Sequence, residues 1–213
     1  MRRPRIVVAS RSAHKLRELR ELLALEGVDL VSLDDLGVPR DPVEDGLTFE
    51  TNARIKARFA ARATGLPALA DDSGLEVDAL GGRPGVRTRR YAGPHATDVE
   101  NNSRLLQELE GLPLERRTAR YVCALAVATP DPSSPGGLRV VVRRGTSRGR
   151  IAEGPRGSGG FGYDPIFEPR RERPGGRTFG QYSAAEKGRI SHRARAARRM
   201  GPTLRGLIGT LPR

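Results

Sequence analysis

An α/β fold with a mixed β-sheet is predicted by three features of the sequence. Short apolar runs alternate with segments of helical periodicity from Arg5 to Ala70, as in α/β proteins. Thr48 and Gly65 are suited to begin and end a long helix within that stretch. Two further apolar runs, 121–129 and 138–144, flank the turn-rich PDPSSPGG and predict an antiparallel pair.

Chain length and cysteine content bound the class of protein. The 213 residues suit one large or two small lobes and can bury a core without disulfides. Cys123 is the only cysteine, and its apolar neighbours in YVCALAVA predict a core position. No segment approaches the roughly 20 apolar residues of a membrane span, and MRRPRIVVAS is too short in apolar residues for a signal peptide. We therefore expect a cytoplasmic protein.

The formal charge of +13 raises nucleic acid as a partner. The arginines are scattered along the chain, however, and only nine residues are aromatic, which leaves few rings for stacking on bases. No dedicated nucleic-acid partner is expected. Lysine is rare, with three residues against 35 arginines, so each lysine can mark a place that requires a compact ammonium group.

A strand over 5–9, a polar turn over 10–14 and a helix over 15–26 are predicted at the start of the chain. A polar turn before a helix N-terminus can bind phosphate, because the first backbone N–H groups are unpaired there, and Lys15 would add positive charge. Alternatively, Lys15 and Arg11 are solvated residues of an ordinary first turn.

An acidic loop precedes the predicted helix that begins after Thr48. Glu44 and Asp45 either favour the dipole of that helix or serve as metal ligands, the latter only if the fold brings them near Asp72.

Two adjacent carboxylates follow the next apolar run. The strand 67–70 is predicted to deliver Asp71 and Asp72 into a turn at Ser73 and Gly74, with 75–77 continuing the sheet. Carboxylates at the exposed end of a strand can hold Mg²⁺. The alternative is an acidic turn without function.

Two capping boxes predict helices in the second half of the chain. Thr97 and Glu100 open a helix that ends near Gly111, and Ser183 and Glu186 open the final helical region.

The glycines of GPRGSGGFGYDPIF match the pattern G-x-G-x-x-G of a dinucleotide site. We reject that match, because the pattern requires a following helix and Pro165 disfavours one. The segment is then either a flexible loop that approaches a ligand, with the rings of Phe161 and Tyr163 for stacking, or a glycine-rich hairpin.

Lys187, His192 and Arg193 lie within seven positions and could bind an anion or a carbonyl oxygen. The alternative is that His192 lies on a helix surface.

Taken together, five segments resemble the inosine triphosphate pyrophosphatases over nearly the whole chain. They are SRSAHKLREL, EDGLTFETNARIKA, LADDSGLEVDALGGRPGV, GSGGFGYDPIF and SAAEKGRISHR. The resemblance implies one domain over 1–213, with an elongated mixed β-sheet flanked by helices, two lobes with a central active-site cleft, and a homodimer. It also implies hydrolysis of ITP, dITP and XTP to the monophosphate and pyrophosphate.

The resemblance further assigns roles to individual residues. Asp72 would be the general base, Glu44 and Asp72 would hold Mg²⁺, and His192 with Arg193 would recognise the oxygen at position 6 of the base. Ser12 departs from the asparagine usual in the family. The implied substrate-binding residues are Ser10, Arg11, Ser12, Ala13, His14, Lys15, Ser73, Phe161, Gly162, Tyr163, Asp164, Lys187, His192 and Arg193.

Two other functions stay open at this point. The segment ASRSAHKLRELRELL partly matches the Maf-like nucleoside triphosphate pyrophosphatases, without support from the later FGYD and SHR segments. A basic nucleic-acid-binding protein is compatible with the charge alone.

Overall fold

Six strands form one sheet in the computed structural model, which describes residues 3–210. The order of strands is β2-β1-β3-β4-β5-β6. Strand β1 is parallel to β2 and β3, whereas β5 and β6 are antiparallel, so the predicted mixed sheet is confirmed. The strands are β1 Arg5–Val8, β2 Asp29–Ser32, β3 Ala68–Val77, β4 Thr118–Pro130, β5 Leu138–Ile151 and β6 Phe167–Pro169.

Five α-helices accompany this sheet within the described residues. They are α1 Ala13–Leu23, α2 Phe49–Thr64, α3 Asp98–Glu108, α4 Ala184–Ile190 and α5 His192–Ile208. Helix α2 begins after Thr48 and ends before Gly65, as predicted, and both capping boxes are formed at α3 and α4. Because Gly65 adopts a positive φ of 68°, it ends α2 without strain.

The first helix begins earlier than the sequence pattern predicts. Ser12 is its N-cap and accepts a hydrogen bond from the backbone N–H of Lys15, so Ala13 and His14 are helical instead of belonging to the predicted turn. The helix also ends at Leu23, where Ala24 adopts a left-handed conformation, before the predicted end at residue 26. Serine is a preferred N-cap residue, and this capping moves the start of the helix by two positions.

The predicted acidic turn is wrong. Asp71, Asp72, Ser73 and Gly74 lie inside the continuous ten-residue strand β3. Both carboxylates are buried, with 1% exposure for Asp71 and 8% for Asp72, and neither stands at an exposed strand end. Cations compensate the buried charges, with Lys15 and Arg193 beside Asp71 and Lys56 beside Asp72.

The chain divides into two compact units. The first comprises the described chain through Asp72, Cys123–Gly145 and the chain from Arg193 onwards, and its core includes Ile6, Leu19, Leu69, Leu125 and Met200. Cys123 belongs to that core, as predicted.

The second unit comprises Ser73–Val122 and Thr146–His192. Its core is rich in aromatic rings, including Tyr121, Phe167 and Phe179.

No helix within residues 3–210 is long and apolar enough to cross a membrane. Met1 and Arg2, at the start of the segment tested for a signal peptide, lie outside the described residues, as do residues 211–213 of the predicted single domain.

Candidate active site

The N-terminus of α1 carries the first group of predicted substrate ligands. The backbone N–H groups at the start of a helix favour an anion. The Lys15 side chain, in the first turn, forms an ion pair with Asp71, with 2.8 Å between Nζ and Oδ1. This end of α1 therefore combines the positive potential of a helix N-terminus with a lysine that a buried carboxylate holds in place.

Arg11, in the same predicted phosphate turn, is directed elsewhere. Its Nε lies 2.9 Å from each carboxylate oxygen of Asp41. Its remaining nitrogens contact Asp34 and the backbone oxygens of residues 38 and 40.

Asp71 is an anion enclosed by cations. Besides Lys15, Arg193 donates to its Oδ2 from Nη2 at 3.0 Å and from Nε at 3.2 Å, and the Cys123 thiol lies 3.7 Å from the same oxygen. Burial by itself raises the pKa of Asp71, but Lys15, Arg193 and Lys56 together lower that pKa well below its ordinary range. Asp71 therefore stays ionised.

Asp72 points to the opposite face of β3, because successive strand residues alternate. Its Oδ1 lies 2.9 Å from Nζ of Lys56, and its Oδ2 accepts a hydrogen bond of 3.3 Å from Asn52. Burial raises the pKa of Asp72, and this effect outweighs the opposing charges of Lys56 and Lys15. A carboxylate with a raised pKa is a better proton acceptor than an ordinary aspartate.

Glu44 reaches the same lysine. Its Oε2 lies 3.1 Å from Lys56 Nζ, so two carboxylates converge on one ammonium group. Burial lowers the pKa of Lys56, but the charges of Asp72, Asp71 and Glu44 raise it above its ordinary value. The condition set by the sequence pattern, that Glu44 lie near Asp72, is met.

Lys56, Asn52 and Asp71 are contacts of the candidate site that the sequence reasoning did not assign. Asn52 and Lys56 are four residues apart on α2, so both project from one helix face towards Asp72. The scarcity of lysine was the available signal for Lys56, and its spacing from Asn52 was a second one.

In the second unit, Lys187 and Asp164 form a buried pair, with 2.6 Å between Nζ and Oδ2. The same oxygen accepts a hydrogen bond of 2.9 Å from the backbone N–H of Phe161. Lys187 Nζ also lies 4.9 Å from the centroid of the Phe161 ring. Each of the three lysines thus pairs with an aspartate.

The glycine-rich loop is followed by a single 3-10 turn, Asp164–Ile166, and then by β6, so the rejected dinucleotide pattern has no α-helix after it. Gly162 is held from both sides, since its N–H donates to Asp98 and its oxygen accepts from Asn102. Tyr163 lies in the core with 3% exposure, and its hydroxyl donates to the backbone oxygen of Thr88. Of the two predicted stacking rings, that of Phe161 is the partly exposed one.

His192 is buried, not on a helix surface, and its ring stacks on Tyr121 with 4.6 Å between centroids. Arg193 is 1% exposed, and its guanidinium group contacts Asp71 and Glu18. Ser73 is partly exposed in β3. Recognition of a base by His192 and Arg193 stays a prediction.

The donor set fits a magnesium ion. Glu44 and Asp72 supply hard carboxylate oxygens, and the Lys56 ammonium already lies within 3.1 Å of both groups as a stand-in cation. Mg²⁺ is usually held by one or two carboxylates together with substrate phosphates. Within the described range no cluster of three or more His, Cys, Asp or Glu side chains could hold a metal, so the protein ligands at this position would be these two carboxylates.

Comparison with known proteins gives consistent matches. Residues 6–203 match the Ham1 family. A protein of Geobacillus kaustophilus named dITP/XTP pyrophosphatase is 47% identical over 205 residues, covering 96% of each chain. A HAM1 protein structure from Coxiella burnetii superposes with a TM-score of 0.83 at 41% identity, covering 95% of this chain and 99% of that one. A nucleoside-triphosphatase / dITP/XTP pyrophosphatase structure from Mycobacterium abscessus gives 0.71 at 44% identity, with coverages of 95% and 98%.

Proposed function

Because the chain belongs to the Ham1 family, we propose that it hydrolyses the non-standard purine nucleotides ITP, dITP and XTP to the monophosphate and pyrophosphate. It is thus a nucleoside triphosphate pyrophosphohydrolase that cleanses the nucleotide pool. The observation that carries the proposal is the cluster around Asp71 and Asp72, which gathers Lys15 at a helix N-terminus and Lys56 with Glu44.

The triphosphate binds at the start of α1. The backbone N–H groups after Ser12 and the ammonium of Lys15 supply positive potential for phosphate oxygens. Ser10 and His14 belong to the same segment. The buried carboxylate of Asp71 stays charged and orients the Lys15 side chain through their ion pair.

Glu44 and Asp72 would hold Mg²⁺, and in the structure the ammonium group of Lys56 contacts both carboxylates. When bound, the metal would neutralise charge that develops on the phosphate oxygens. Asp72 accepts a proton from the water that attacks the α-phosphorus, and its raised pKa suits that role. Asn52 restrains the carboxylate of Asp72 through the 3.3 Å hydrogen bond.

Recognition of the nucleoside falls to the residues that the resemblance indicates. The Phe161 ring offers a face for the purine, and the segment from Gly162 to Asp164 is fixed by α3 and Lys187. Ser73 and Lys187 contact the nucleotide, and His192 with Arg193 donate to the oxygen at position 6. ATP has an amino group at that position and would leave these donors unpaired.

The other two interpretations are not favoured. The family match spans residues 6–203, whereas the Maf-like resemblance rests on one early segment. Positive charge alone supports nucleic-acid binding, and no dedicated nucleic-acid partner is proposed. Residues 1–213 act as one pyrophosphatase domain, and we include a cytoplasmic homodimer in the proposal on the strength of the family resemblance.

A pyrophosphate-release assay with Mg²⁺ and a panel of ITP, XTP, GTP and ATP tests the function. We expect ITP and XTP to be turned over to their monophosphates, pyrophosphate to be the only inorganic product, and EDTA to abolish activity. Stepwise release of orthophosphate, or preference for other nucleotides, would contradict the proposal. Glu44→Gln, which removes one carboxylate charge, should require more Mg²⁺ than the wild type.

A further inference from the structure

The guanidinium group of Arg11 binds one short segment of chain from several directions. Its Nε lies 2.9 Å from both carboxylate oxygens of Asp41. Its Nη2 donates to the backbone oxygens of Val38 at 2.8 Å and Arg40 at 3.3 Å, and its Nη1 pairs with Asp34. All of these partners lie in residues 34–41, which we call the Arg11-bound segment.

The chain from residue 38 to residue 46, which includes the end of this segment, has few other restraints. Residues 38–46 lie in no helix or strand, and most of them are exposed. Within residues 3–210, the hydrogen bonds and ion pairs described for 39–45 are those to Arg11 and the contact of Glu44 with Lys56. Gly46 is held next, by the 2.8 Å hydrogen bond from its N–H to Asn52.

Glu44 therefore lies between two restrained positions, Asp41 and Gly46. It follows Asp41 by three residues, a distance of at most about 10 Å along an extended chain. Pro42 lies between them, and its fixed φ and its restriction of Asp41 reduce the slack of that connection. The position of Asp41 therefore limits the positions that Glu44 can reach.

We propose that Arg11 is a positioning residue that fastens the Arg11-bound segment to the turn after β1, and so sets the position of Glu44 for Mg²⁺. The inference rests on the proposed function, in which Glu44 is a metal ligand. It assigns Arg11 a task different from gripping the triphosphate, the role implied by the family resemblance.

The chemistry of arginine suits this task. A planar guanidinium can bond a carboxylate and two carbonyl oxygens at the same time, which a lysine ammonium does in no fixed geometry. The hydrogen bond to Asp41 is the largest factor that raises the pKa of Arg11. One exposed ion pair contributes little, but Arg11 bonds four residues, and three of them, Val38, Arg40 and Asp41, lie in no helix or strand.

Hydrogen exchange and kinetics of five variants test the proposal. We compare Arg11→Ala, Arg11→Lys, Asp41→Ala, the Arg11→Ala/Asp41→Ala double variant and Arg40→Ala with the wild type. Arg40→Ala is the matched control, because it removes a guanidinium from the same segment but keeps the backbone oxygen that Arg11 contacts. Amides of residues 38–46 should exchange faster in Arg11→Ala and, less so, in Asp41→Ala, whereas Arg40→Ala should match the wild type.

The kinetic result should show which ligand is affected. The Mg²⁺ concentration for half-maximal ITP turnover should rise about tenfold in Arg11→Ala, the lower end of the effect of residues that orient metal ligands. Inhibition by inorganic pyrophosphate should not change, and the double variant should equal Arg11→Ala. Arg11→Lys should restore little of the lost Mg²⁺ affinity, since lysine lacks the planar guanidinium group that bonds several oxygens at once.

Two results would overturn the inference. Weaker pyrophosphate inhibition and a higher KM in Arg11→Ala, with Asp41→Ala silent, would make Arg11 a phosphate ligand. Unchanged exchange of residues 38–46 in Arg11→Ala would show that it fastens nothing. If the wild type hydrolyses neither ITP nor XTP, the proposed function fails, and the exchange comparison still decides whether Arg11 fastens the segment.

Discussion

Asp71 and Asp72 are neighbours with the same side chain, yet the structure gives them opposite properties. Asp71 faces Lys15 and Arg193, and its pKa lies well below the ordinary value. Asp72 faces Lys56 and Asn52, and its pKa is raised because burial outweighs its partner charges. The alternation of a strand thus separates a permanent anion, which orders cations, from a carboxylate suited to accept a proton.

The largest effect is expected for Asp72→Asn, which keeps the shape of the side chain but removes the base and a metal charge. Turnover of ITP should fall by about 10²- to 10⁴-fold, the usual contribution of general acid–base catalysis, while folding stays intact. Steady-state kinetics and circular dichroism measure the two quantities. Near-wild-type turnover by a folded variant would show that Asp72 is not the general base. Neither of the two aspartates would then be catalytic.

Asp71→Asn should affect stability instead. It leaves Lys15 and Arg193 without their common buried counter-charge, and breaking a buried pair in this way costs about 3–5 kcal/mol. Chemical denaturation measures the free energy of unfolding. Asp72→Asn is the matched control and should be destabilised less. Equal stability of Asp71→Asn and the wild type would show that Asp71 does not order these cations.

Arg193→Ala tests whether Arg193 recognises the base or only supports Asp71. If Arg193 donates to the oxygen at position 6, kcat/KM should fall much more for ITP and XTP than for the little ATP turned over. Measurement of kcat/KM for ITP, XTP, GTP and ATP on both proteins decides this. An equal fall for every nucleotide would assign Arg193 to the support of Asp71 alone.

The pH dependence of stability should differ in sign for the two aspartates. The depressed pKa of Asp71 means that its stabilisation is present above the ordinary value of 3.8 and is lost as the pH falls towards its folded pKa. The stability difference between wild type and Asp71→Asn should therefore shrink below about pH 4. The raised pKa of Asp72 has the opposite consequence, since the folded state takes up this proton more readily.

Wild type should accordingly gain stability relative to Asp72→Asn as the pH falls through the folded pKa of Asp72 towards 3.8. Unfolding curves of both variants and the wild type between neutral and acid pH provide the test. Parallel curves for the two variants would contradict the opposite pKa shifts.

The smallest effect is expected at Ser12. Ser12→Asn should be tolerated and should keep or lower the KM for ITP, because asparagine is an equally good N-cap and has a longer reach. Ser12→Ala, as the comparison, should lose about 1 kcal/mol of stability with the cap. A large loss of turnover in Ser12→Asn would mean that this turn needs the shorter side chain.

Much of the fold could be predicted because its signals are local. Thr48 and Gly65 bound α2, and Thr97 with Glu100 opens α3, since each involves contacts within a few residues. The start of α1 was predicted two residues too late, because Ser10 and Ser12 both suit a turn. Only the hydrogen bond from the Lys15 N–H identifies Ser12 as the N-cap.

The sequence by itself determined the α/β class and the caps of α2, α3 and α4, because short spacings specify them, and its composition singled out the three lysines. Only the tertiary structure decided that each lysine pairs with an aspartate, since the partners are distant in the chain. Only the tertiary structure decided that Asp71 and Asp72 remain in a strand, since local propensity favours a turn there. It also decided that Arg11 holds residues 34–41 and that Glu44 shares Lys56 with Asp72. The physical reason is that burial and opposite charge act between residues distant in the chain, and those interactions override local preference.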